Sequence, residues 1–83
     1  MTPEDITARI RTALPDAEVR VVDTTGGGDH FSATVVSSAF ADMGLLDRHR
    51  LVYAALAAVI HGPRAPIHAL ALTTETPEEY RRK

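Results

Sequence analysis

Apolar positions fall into alternating helical and strand periods along the chain. Ile6, Ile10 and Leu14 recur at four-residue spacing, a narrow stripe that predicts an amphipathic helix over residues 3–14. Thr2 is a suitable cap, Pro3 suits the first helical position, Glu4 and Asp5 suit the positive end, and Pro15 stops the run. Residues 18–22, Glu-Val-Arg-Val-Val, are β-rich and half alternating. Residues 31–36 alternate with Phe31, Ala33 and Val35 on one face. The intervening Asp23-Thr24-Thr25-Gly26-Gly27-Gly28-Asp29 has turn composition, so the two strands form a hairpin.

Residues 37–44 are irregular, with Phe40 expected to plug the core. A long helix is expected over residues 45–60. Leu45, His49, Val52, Leu56 and Val59 would share its apolar side, with Leu46, Ala55 and Ile60 beside it, and Gly62-Pro63 ends it. A third strand is expected over residues 66–72, with His68 on the face opposite Ile67. Thr76-Pro77-Glu78-Glu79 is a capping box that opens a last short helix. The order α-β-β-α-β-α predicts an α+β fold: a three-stranded sheet, made of an antiparallel hairpin plus a third strand, covered on one side by helices.

Composition narrows the function. The 83 residues make one domain, with 45% apolar and 24% charged residues, an ordinary globular balance. The absence of cysteine excludes disulfides, thiolate nucleophiles and a self-contained cysteine-ligated iron–sulfur site. Metal chemistry would rest on four histidines and the carboxylates, or on a partner's ligands. A net charge of −2 gives no general attraction for polyanions. The acidic first residues lack signal-peptide character and the longest apolar run is far short of a membrane span, so a cytoplasmic protein is expected.

Six stations in the chain resemble the BolA family: Asp23, Phe31 with Val36-Ser37, Phe40, Arg48-His49-Arg50-Leu51-Val52-Tyr53, Ile67-His68-Ala69-Leu70 and Thr76-Pro77. Their order and spacing match the family over about residues 18–80. Three departures stand out: Asp42 where the family has glycine, Tyr80 where it has tryptophan, and a short hairpin loop without cysteine. The resemblance implies a KH-like fold of the second type, and a binding module in place of an enzyme. It also implies a monothiol, CGFS-type glutaredoxin as partner, sharing a bridging [2Fe–2S] cluster with glutathione. On that resemblance His68 matches the family's principal cluster ligand. His30 is the candidate for the second, although it sits beside Phe31 and not where the family's loop ligand falls.

Plainer readings stand beside these. By itself His68 reads as a strand histidine satisfied by one hydrogen bond, and His30 as a half-exposed strand start. His49 reads as a buried imidazole bonded to a backbone carbonyl, and His61 as a helix-end residue. Asp29 offers an oxygen that iron–sulfur clusters rarely choose. Gly26-Gly27-Gly28 has no following Lys-Ser/Thr or helix, so it is a hairpin loop and not a phosphate cradle. Arg48, Arg50 and Arg64, with Arg81, Arg82 and Lys83, suggest a basic patch. With the KH-like resemblance, that makes a nucleic-acid-binding transcription regulator the alternative function. Against it, the Gly-x-x-Gly loop by which KH domains grip nucleic acid is missing. No nucleophile elbow or histidine pair at helical spacing points to catalysis, and no small-molecule substrate is expected.

Overall fold

The computed structural model describes residues 1–82; Lys83 lies outside the described residues. The first helix, α1 (Pro3–Ala13), is closed by a reciprocal cap: Thr2 Oγ1 accepts from the Asp5 N–H, and the Asp5 carboxylate accepts from the Thr2 N–H. Its stripe of Ile6 and Ile10 is fully buried, and Leu14 and Ala17 continue the core as the chain turns into β1 (Glu18–Asp23). Strand β2 (His30–Val36) pairs antiparallel with β1, Val21 opposite Ala33 and Asp23 opposite Phe31. Strand β3 (Ala69–Glu75) lies parallel to β2 on its other side, giving the order β1-β2-β3.

Alternation then decides the two faces of the sheet. Phe31, Ala33 and Val35 of β2 are buried, with Val19, Val21, Leu70 and Leu72 packed beside them under α1 and the helix that follows β2. Arg20, Ser32, Thr34, Ala71 and Thr73 lie on the other, open face. The α+β architecture expected from the hydrophobic pattern is the one observed.

Phe40 plugs the core as expected, held fully buried by a 3₁₀ turn (Ser38–Phe40). The Asp16 carboxylate anchors that turn, accepting from Ser37 Oγ, Ser38 Oγ and the Ser38 N–H. Asp42 needs no glycine backbone, because no non-glycine residue among those described has a positive φ.

Three expectations need correction. The long helix is two: α2 (Leu45–Ala55) and α3 (Ala57–Ile60), broken at Leu56 with φ −105° and ψ 8°. Leu56 and Val59 are both buried, and the Val59 carbonyl, in the last turn before the chain leaves α3, accepts from the Ile67 N–H at 3.0 Å. Leu45 and Leu46 are not on the packed side; they are 65% and 62% exposed, because the first turn of α2 projects beyond the core. The third strand runs three residues later than expected. Ile67 is buried but lies in the connection before the strand, and Thr73 to Glu75 continue the pairing with β2. The chain ends in α4 (Pro77–Arg81), opened by the Thr76–Glu79 capping box.

Candidate functional site

The hairpin loop is built on one carboxylate. Asp23, the last residue of β1, accepts the N–H of Gly26 (2.9 Å), Thr25 (3.3 Å) and Gly28 (2.9 Å). Gly26 and Gly28, at φ 79° and 76°, take the left-handed turns this wrapping needs. The loop is therefore tied down and not simply pliant. The hairpin closes above it, where the Thr24 N–H donates to the His30 carbonyl at 2.9 Å.

Asp29 follows, and the parallel register sets His68 beside it. The Asp29 carbonyl accepts from both the His68 N–H (2.8 Å) and the Ala69 N–H (3.3 Å), extending the β2–β3 ladder by one residue. His68 thus stands just before β3, while His30 is the first residue of β2. Their ring centroids are 6.2 Å apart at an interplanar angle of 75°. The two histidines singled out in the sequence are brought together.

Between them sits the Asp29 carboxylate. Its Oδ1 is 2.9 Å from His30 Nδ1, and its Oδ2 is 3.7 Å from His68 Nδ1. His30 Nδ1 is shut off from solvent and forms no aligned hydrogen bond, so the short contact is an off-axis charge–dipole pairing. The His30 contact is the largest influence holding the Asp29 carboxyl below its ordinary value; loss of solvent opposes it, and the charges of His30 and His68 add to it. The side chains stay accessible, 44% for His30 and 61% for His68. With both Nδ1 atoms turned toward one carboxylate, Nε2 is the nitrogen left on each ring for a ligand. From sequence alone Asp29 reads only as a poor oxygen donor. Its place between the rings depends on a strand pairing that no local pattern reveals.

The donor set is incomplete by itself. Among the described residues no group of three histidine or carboxylate side chains is placed to hold a metal ion. Two imidazoles could fill two ligand positions of a metal centre, and with no cysteine in the chain any thiolate ligand would have to come from elsewhere.

The other candidates lie apart from this site. His49 is half-buried on α2, and its ring makes no hydrogen bond to a carbonyl among the described residues, contrary to expectation. His61 is exposed at the end of α3, as expected. Arg48 does not belong to an open basic patch. Its side chain is 12% exposed, donates to Glu79 Oε1 (2.7 Å) and the Met43 carbonyl (2.9 Å), and packs 5.8 Å from the Phe40 ring centre. Arg50 is exposed two residues on, off the Arg48 face of the helix, and Arg64 is exposed in the connection to β3. Arg82 pairs with Glu78. No helix among the described residues is long and apolar enough to cross a membrane.

Comparison with known proteins gives consistent results. The BolA-like protein family profile matches residues 8–79. Human BolA-like protein 1 is 41% identical over 87 residues, covering 92% of this chain but 61% of its own length, so the chain spans about three fifths of that relative. The DNA-binding transcriptional regulator BolA of Escherichia coli strain K12 is 33% identical, covering 96% of this chain and 80% of the regulator. Among solved structures, a bol-like protein from Babesia bovis superposes with a TM-score of 0.81 at 35% identity, covering 99% of this chain and 92% of that one.

Proposed function

This chain belongs to the BolA family, and on that premise we propose that it is an adaptor for a monothiol, CGFS-type glutaredoxin, with His68 and His30 as its ligands to a shared [2Fe–2S] cluster. One observation supports this most: two accessible imidazoles, expected from the family resemblance to be ligands, lie 6.2 Å apart around a carboxylate, with no third ligand placed to complete a metal site among the described residues. A site that is half complete calls for a partner. Glutaredoxin and glutathione thiolates would supply the other half.

The residues have separable roles. His68, the more exposed ring, presents one nitrogen from the start of β3, and His30 presents another from the start of β2. An imidazole in place of a thiolate lowers the negative charge at an iron and raises its potential, and a neutral ligand releases more readily than an anionic one. Together these suit trafficking of a cluster, or sensing of iron or redox state. Mixing the protein anaerobically with a CGFS glutaredoxin, glutathione, iron and sulfide should give visible absorption and circular dichroism distinct from those of the glutaredoxin alone. His68→Ala should abolish the difference and His30→Ala should weaken it. A spectrum unchanged by the protein, or by His68→Ala, overturns the reading.

A second reading comes from the E. coli relative, which is named a DNA-binding transcriptional regulator. For this chain it would rest on Arg50 and Arg64, since Arg48 is committed to Glu79. Binding of a labelled duplex should then weaken steeply between two ionic strengths as counterions are released. No binding at low salt removes this reading.

A further inference from the structure

We propose that Asp29 is a positioning residue that fixes both imidazoles in one tautomer, proton on Nδ1 and lone pair on Nε2, so that the pair is set for a metal before any partner arrives. The inference rests on the reading of His30 and His68 as ligands. An ionised carboxylate only accepts, and its two oxygens face two different rings: Oδ1 at 2.9 Å from His30 Nδ1 and Oδ2 at 3.7 Å from His68 Nδ1. His30 Nδ1 is sealed from solvent and has no aligned hydrogen bond; Asp29 Oδ1 at 2.9 Å is the acceptor it faces, and a small turn of the ring would bring an Nδ1–H onto it. The longer His68 contact is beyond hydrogen-bond length, and that ring's exposure leaves it room to turn toward Oδ2.

Asp29 is itself held in place. Its carbonyl takes the His68 and Ala69 N–H groups, which locks its backbone to β3, and Thr25 Oγ1 lies 3.5 Å from Oδ1. A carboxylate behind a ligating imidazole orients the ring and strengthens it as a donor. Here one carboxylate serves two ligands from two strands. Losing it should loosen both together.

The test is made first on metal-free protein carrying ¹⁵N-labelled histidine, in long-range proton–nitrogen spectra at about pH 8, above the ordinary histidine range. Wild type should show the Nδ1–H pattern at His30 and His68, while His49 and His61 show the mixture of an unconstrained ring. Asp29→Ala keeps the backbone bonds and should return both rings to that mixture. Asp29→Asn has one accepting and one donating end, so it should hold one ring as Nδ1–H and reverse the other. In the reconstituted glutaredoxin complex, Asp29→Ala should lose the cluster about 10-fold faster than wild type. The Nε2–H pattern at either ring in wild type, or a pattern unmoved by Asp29→Ala, overturns the proposal. If the tautomers behave as stated but the wild-type chain takes up no cluster with its partner, the adaptor reading fails and the positioning role of Asp29 stands.

Discussion

Asp23→Ala should unwrap the hairpin loop while leaving the histidine pair in place. The substitution removes the acceptor for three N–H groups, at 2.9, 2.9 and 3.3 Å. Hydrogen bonds of this kind contribute roughly 0.5–1.5 kcal/mol each when buried, and less where water can replace the carboxylate. Two short bonds and one long one in an exposed loop therefore add up to about 1–2 kcal/mol. A domain of this size has a stability of roughly 4–12 kcal/mol, so the variant stays folded. With a urea dependence near 1 kcal/mol per molar, the unfolding midpoint should fall by about 1–2 M. Amide exchange locates the effect: the Gly26 and Gly28 N–H groups should lose protection, and the His68 and Ala69 N–H groups, bonded to the Asp29 carbonyl, should keep theirs. Gly26→Ala is a control of similar size, because φ 79° costs a side chain about 1–2 kcal/mol although nothing lies within 4 Å of the added carbon. A midpoint within about 0.3 M of wild type with unchanged Gly26 and Gly28 protection would refute the idea that Asp23 organises the loop.

Phe40→Ala should cost about 3–5 kcal/mol, leaving the domain marginal at 25 °C, whereas Phe40→Leu should cost about 1.5 kcal/mol or less. Urea titration of both variants checks this, and equal midpoints would contradict the plugging role. Arg48 holds the Glu79 carboxyl down from 4.5 to about 2. Because the folded value is the depressed one, the stabilisation is complete above pH 4.5 and is lost as the pH falls through about 2. Glu79→Gln should therefore flatten the stability profile across that acid window; a slope identical to wild type would show that the pair does not contribute.

Much of the fold could be seen locally, because its signals are local. The Thr2 and Thr76 caps, the Ile6–Ile10 stripe and the Phe31-Ala33-Val35 alternation each act within a few residues, and each is realised. The misplaced features depend on tertiary context. No proline or glycine marks the break at Leu56, so no local residue signals it. Leu45 and Leu46 continue a helical apolar pattern but extend past the elements that would cover them. At the site, His68 and His30 were found through family resemblance. Their proximity, and Asp29 between them, follow from a parallel register linking residues far apart in sequence.

That register acts as a ruler. Because the Asp29 carbonyl grips the start of β3 directly, the spacing of His30 and His68 is measured across adjacent strands and not around the hairpin. The tip at Gly26-Gly27, beyond the Thr24 and Thr25 contacts to His30 and Asp29, can therefore change length without altering that span. It is a natural place to splice in a fluorophore or affinity tag that would sit within view of the histidines without disturbing them, turning the chain into a reporter of its own partnerships.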